Sequence, residues 1–173
     1  ADVDGNVESR MGTVSAFNGP EPEIEITQSP EDEVRVISSW LSARTKDGIK
    51  PEEIGVFVRS DAELPRARAA VARAGMKAVE LDGTSDTMHG AVSISTMHLA
   101  KGLEFRAVVV AACDDEIVPL QTRITAVTDD SDLEEVYNTE RHLLYVACTR
   151  ARDSLLITGV DPASEFLDDL RRS

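Results

Sequence analysis

The chain has 173 residues, 42% of them hydrophobic and 29% charged, with a formal net charge of −14. One domain with a full core fits that length, and the composition is that of an ordinary soluble globular protein rather than a disordered chain. No apolar run approaches the ~20 residues of a membrane span and the N-terminus lacks a basic-then-apolar leader, so no membrane partner and a cytoplasmic location are expected, while acidity on this scale opposes a nucleic-acid-binding surface spread over the whole molecule.

Residues 1–22 are polar and broken by Gly5, Gly12, Gly19, Pro20 and Pro22; they read as an extended or poorly ordered N-terminal segment with one strand candidate near 11–17. A domain over 23–173 follows. Glu23-Ile24-Glu25-Ile26-Thr27 alternates with period two, the pattern of an edge strand. Ser29 suits a helix N-cap, Pro30 the first helical position, and Glu31, Asp32 and Glu33 the positive end of the helix dipole. Val34, Ile37, Trp40 and Leu41 then recur at helical spacing to about residue 44, and the helix ends before Asp47-Gly48. Ile54-Gly55-Val56-Phe57-Val58 is a run of the type covered on both faces of a parallel sheet. Arg59-Ser60-Asp61 closes it, a helix over 62–74 ends at Gly75, and residues 76–81 form another short strand before the turn 82–90.

Between the apolar runs 91–95 and 107–112 lies Thr96-Met97-His98-Leu99-Ala100-Lys101-Gly102-Leu103-Glu104-Phe105. A hydroxyl, an imidazole, a cation and a glycine between two strands suit phosphate, at a sheet edge where ligands of open α/β sheets gather. A polar turn that happens to hold a lysine would look the same. The alternation of strand and helix predicts an α/β fold with a mainly parallel sheet and helices on its faces.

After residue 112, Asp114-Asp115-Glu116 ends an apolar run either as magnesium-holding carboxylates or as a polar strand exit; none of the ten glycines lies in a G-x-x-x-x-G-K-[ST] phosphate loop. Residues 121–132 read as a polar connector and 133–151 as the longest helix, with Val136, Tyr137, Leu143, Leu144 and Ala147 as its apolar stripe. Arg150 continues that line and either snorkels to solvent or points into a cleft. Ser154-Leu155-Leu156-Ile157-Thr158 is a last strand, and Asp161-Pro162 opens a last helix to residue 170. Cys113 and Cys148 lie far apart among apolar residues and read as buried free thiols.

The charge is unevenly spread. Residues 1–34 hold nine acids against Arg10, and 129–135 hold five more, whereas 141–152 carries Arg141, Arg150 and Arg152 with no acid. A groove responds to local sign more than to the total.

Two segments are long enough to be distinctive. Thr96-x-His98-x-x-Lys101-Gly102-Leu103-Glu104-Phe105 is similar to motif V, and Glu140-Arg141-His142-Leu143-Leu144-Tyr145-Val146-Ala147-Cys148-Thr149-Arg150-Ala151-Arg152 to motif VI, of the UvrD/Rep-like superfamily 1 DNA helicases. Together with the strand and helix from Ile54 to Gly83 and the loop from Asp114 to Pro119, the chain resembles the carboxyl-terminal, RecA-like motor domain (2A) of that family over about residues 50–160, a P-loop NTPase-type fold without its own phosphate loop.

The resemblance implies that ATP is sandwiched between this domain and an N-terminal RecA-like domain holding the phosphate loop and the Mg2+ carboxylates. Arg150 is then the arginine that meets the γ-phosphate, Glu104 approaches the nucleotide sugar, and Gly102 lies at the nucleotide. Thr96, His98 and Lys101, with Arg59 and Ser60 at the preceding strand end, face single-stranded DNA; Tyr145 and Arg141 pack and orient the arginine helix. The family's motif IV arginine has no match near residue 1, and only residues 82–90 stand where the accessory domain (2B) is usually inserted. A monomeric carboxyl-terminal portion of a longer helicase, inactive alone, is therefore expected. The alternative is a non-catalytic helicase-like module that docks a protein partner, for which the acidic N-terminal region is suited.

Overall fold

The computed structural model describes residues 20–83 and 87–171; the strand candidate near 11–17 lies outside them, as does the middle of the 82–90 turn. Among the described residues six strands form one sheet in the order β1-β6-β5-β2-β4-β3, every neighbouring pair parallel. They are β1 (Glu23–Thr27), β2 (Ile54–Val58), β3 (Lys77–Glu80), β4 (Ala91–Thr96), β5 (Phe105–Val110) and β6 (Ala151–Val160). The helices are α1 (Pro30–Lys46), α2 (Leu64–Arg73), α3 (Gln121–Thr125), α4 (Asp130–Cys148) and α5 (Phe166–Arg171). Among the described residues no helix is long and apolar enough to cross a membrane.

Strand alternation sorts the core into two halves. Val56, Val58, Val92, Ile94, Ala107 and Val109 face α1 and α2, which contribute Ile37, Trp40, Leu41, Ala67, Ala70 and Val71. Phe57, Val108, Val110, Leu155 and Ile157 face α4 and α5, which contribute Leu144, Ala147, Phe166 and Leu167. All five residues of β2 are buried, as its unbroken apolar run requires of a strand covered on both faces. The expected α/β sheet with helices on both faces is the fold observed.

The segment between β4 and β5 carries most of the candidate site residues. Thr96 pairs with Val58 at the carboxyl ends of β4 and β2, whereas Phe105 pairs with Ala151 at the amino ends of β5 and β6. Residues 97–104 therefore cross the full depth of the sheet, opening with a 3-10 turn at Met97–Leu99 that buries Met97 and Ala100 against the Phe57 face. Gly102 turns the chain with φ +85°, a left-handed conformation in which a Cβ is strained.

Phe105 is seated by a second glycine. A Cβ on Gly55 would lie 2.6 Å from Phe105 Cδ2, and the Phe105 ring meets Phe57 edge-on at 6.1 Å between centroids. We expect Gly55→Ala to overpack this joint and cost about 1–3 kcal/mol, read as a lower Tm. An unchanged Tm would show that the ring moves aside freely.

Several boundaries differ from the sequence reading. Helix α4 begins at Asp130, with the Asp129 carboxylate accepting from the Asp132 N–H at 2.9 Å. Three of the five acids of 129–135 thus form the cap (Asp129) and first turn (Asp130 and Asp132), where negative charge meets the helix dipole, and part of the expected connector is helix α3. Strand β6 starts at Ala151; its polar Asp153 is held by Arg106 at 2.7 Å. Helix α5 starts only at Phe166, because residues 162–164 pair with 113–115 instead: the Asp115 N–H donates to Pro162 and the Ser164 N–H to Cys113.

Candidate functional site

The expected residues fall at two opposite edges of the sheet. At the carboxyl edge, β2 ends in Arg59, whose residue is only 3% exposed. Its Nε donates to Glu140 Oε1 at 2.8 Å and its Nη2 to Glu140 Oε2 at 2.6 Å, a forked pair between the end of β2 and the middle of α4. Its Nη1 donates to His98 Nε2 at 3.1 Å. A guanidinium only donates, so His98 accepts at Nε2 and carries its proton on Nδ1. The His98 ring is exposed, as is Lys101 three residues on, and Thr96 is half-buried beside them.

Two of the residues expected at DNA are engaged within the chain, and one of them, Arg59, is buried. Arg59 is sealed against Glu140, because a buried guanidinium needs a carboxylate to offset its lost hydration; it orients His98 rather than meeting solvent. The Ser60 hydroxyl donates to Glu63 Oε1 at 2.7 Å and opens the short turn at Asp61–Glu63.

Glu140 is the organising group that the sequence reading passed over. It is fully buried and also accepts from the Leu120 N–H and from Arg123 Nη1, each at 2.8 Å. Burial pushes its carboxyl up, but the hydrogen bonds from Arg59, Leu120 and Arg123 outweigh it and hold the group below its ordinary range. A signal existed: Glu140 lies three residues after Tyr137 and four before Leu144, on the apolar stripe itself.

At the amino edge stand Glu104 and Arg150. The Phe105 N–H donates to the Arg150 carbonyl at 2.9 Å, so the residue after Glu104 is tied directly to the end of the arginine helix. The Arg150 side chain donates from Nη1 to the Leu103 carbonyl and from Nε to the Val146 carbonyl, both at 3.2 Å, and from Nη2 to Thr149 Oγ1 at 3.0 Å. It neither snorkels freely nor enters the core. It lies half-exposed over the chain just before the exposed Glu104. The expectation that the whole 96–105 segment sits at one edge is corrected: the segment joins the two edges, and only its first half obeys the carboxyl-end rule. Tyr145 and Arg141 face α5, with Arg141 4.7 Å above the Phe166 ring and the Tyr145 hydroxyl 3.5 Å from Asp169.

A second buried carboxylate is structural. Glu33, expected only to complement a helix terminus, is fully buried and accepts from Arg66 Nε at 2.9 Å, the Ala112 N–H at 2.9 Å and the Thr158 hydroxyl at 2.7 Å. Asp114 accepts from Arg66 Nη1 at 3.0 Å and the Val160 N–H at 2.8 Å, which resolves the open choice for that residue in favour of a strand exit.

Comparison with known proteins agrees with this architecture. The profile of the UvrD-like helicase C-terminal domain matches residues 68–161. The chain is 28% identical over 151 residues to DNA helicase II of Rickettsia typhi, covering 83% of this chain and 22% of that protein. It is 36% identical over 102 residues to DNA helicase II of Escherichia coli K12, covering 59% of this chain and 13% of that protein. With ATP-dependent DNA helicase PcrA of Staphylococcus epidermidis it shares 42% identity over 75 residues, 43% of this chain and 10% of that one. The chain thus spans less than a quarter of each of these relatives. In fold it is similar to the crystal structure of the C-terminal domain of a possible DNA helicase from Lactobacillus plantarum WCFS1, with a TM-score of 0.65 at 22% identity over 95% of this chain and 89% of that one.

Proposed function

The chain belongs to the UvrD-like helicase C-terminal domain family, and from this we propose that it is the second motor domain of an ATP-dependent DNA helicase or translocase, closing over a nucleotide at its amino edge and gripping a single strand at its carboxyl edge. What supports the reading is that Arg150 and Glu104 stand at one edge and His98, bonded to Arg59, at the other, with the exposed Lys101 on the chain segment that joins them and α4 running between the two. From Glu140 to its last residue, Cys148, that helix spans about 12 Å at ~1.5 Å per residue, and Arg150 follows two residues on.

At the amino edge, Arg150 offers a planar, permanently charged donor to the charge that spreads over a transferred phosphoryl group. Glu104 offers an acceptor to sugar hydroxyls, and Gly102 gives the turn its tight course. The phosphate loop and the carboxylates for Mg2+ belong to an N-terminal RecA-like domain, so the chain by itself is not expected to turn over ATP. Closure of the two domains on ATP and their release after hydrolysis would step the strand.

At the carboxyl edge, Thr96, His98 and Lys101 hold phosphates without reading bases. The roles of His98 and Lys101 differ. His98 donates through Nδ1–H as an uncharged ring, whereas Lys101 brings a full charge. In the intact protein we expect Lys101→Ala to weaken single-strand binding and to lower the slope of log K against log salt by about 0.7. His98→Ala should weaken binding with the slope unchanged. Equal, unchanged affinity in both variants at low salt would remove the strand from this edge. An intact protein that binds no nucleotide and turns over no ATP would favour the alternative, a docking module.

A further inference from the structure

We propose that Arg123 is a further phosphate-binding residue, extending the strand track from His98 across the carboxyl edge to α3, with Glu140 holding both ends of it; this rests on the reading that the strand lies at that edge. Arg123 sits in α3, whose entry is set by the Leu120 N–H bonded to Glu140. Its side chain is 37% exposed, while the carboxylate it touches at 2.8 Å is fully buried. The same Glu140 Oε2 takes Arg59 Nη2, and Arg59 Nη1 takes His98. One carboxylate and one guanidinium therefore separate Arg123 from His98, and the two are fixed in relative position.

Charge decides what this arrangement is for. Glu140 is already matched by the forked bond from Arg59, which is buried and closed to solvent. Adding Arg123 puts two guanidiniums on one carboxylate, and His98 on the Arg59 side is an uncharged acceptor. The cluster keeps one surplus positive charge, and the exposed member that presents it is Arg123. Around it the sequence runs from Ile117 through Thr128 without an acid, in a chain of net charge −14. The Nη1 contact leaves the other N–H donors of the fork for an anion, and the exposed Gln121 and Thr122 beside it are neutral. A phosphodiester of a single strand that touches His98 is the anion placed to fill that position.

The test measures binding of the intact protein to a fluorescein-labelled oligothymidylate over a salt series. Arg123→Gln keeps a donor for Glu140 and removes the charge; Arg123→Lys keeps the charge and loses the fork. We expect Arg123→Gln to raise the low-salt Kd several-fold and to lower the salt slope by about 0.7, and Arg123→Lys to restore the slope. If Lys101→Ala lowers the slope and Arg123→Gln does not, the Arg123 assignment is overturned while the strand stays at this edge. If neither does, both fall. A drop in affinity with an unchanged slope would mark Arg123 as a structural partner of Glu140 and overturn the phosphate role.

Discussion

In the intact protein, Arg150→Ala should cut DNA-stimulated ATP hydrolysis by about 10³–10⁵-fold, the range expected for loss of an arginine finger. The guanidinium now rests on two backbone carbonyls and a hydroxyl, all neutral acceptors. Phosphate oxygens make charge-assisted bonds of roughly twice the strength, so a nucleotide at this edge can draw the side chain off them. ATP affinity should fall far less, since in the proposed arrangement most phosphate contacts come from the N-terminal domain. The variant should also stay folded: the joint between α4 and β5 is made by the Arg150 carbonyl and the Phe105 N–H, which alanine retains. Arg150→Lys should recover little, because an ammonium keeps the charge without the planar fork. Undiminished turnover in Arg150→Ala would exclude the finger role.

The largest stability effect is expected at Glu140. Glu140→Ala leaves the Arg59 guanidinium buried without its counter-charge and the Leu120 N–H without its acceptor. Removing one partner of a buried pair costs about 3–5 kcal/mol, to be read from denaturant or thermal unfolding. Glu140→Gln, which keeps hydrogen-bonding capacity, should cost less. The pH dependence has a definite sign. Because the folded state holds this carboxyl below its ordinary value of 4.5, the pair's contribution is complete above that value and is lost as pH falls through the folded one. Wild type and Glu140→Ala should therefore converge in stability only in acid. A loss under about 1 kcal/mol at neutral pH, the size typical of exposed pairs, would mean that water reaches the cluster and that Arg59 is not anchored as described.

Local pattern was enough for the order of the six strands and of every helix but the short α3, which read as connector, for α1 with its Ser29 cap, Pro30 start and acidic first turn, and for the doubly covered β2. Each of those follows from side-chain period or from terminus chemistry within a few residues. The segments holding Arg150, Glu104, His98 and Lys101 were legible for the same reason, as contiguous strings. Tertiary structure alone decided where their side chains lie. Arg59 and Glu140 are 81 positions apart, and Glu33 and Thr158 are 125 apart; no short-range period carries such a pairing. A lone arginine at a strand end looks like a surface charge, and although the place of Glu140 on the apolar stripe points inward, nothing nearby in sequence names its partner. Packed together they bury, because each offsets the dehydration of the other. Likewise the segment from Thr96 to Phe105 reads as one loop, but parallel pairing on both sides of β2 forces it from the carboxyl to the amino edge, so that Thr96 and His98 stand at one edge and Glu104 at the other.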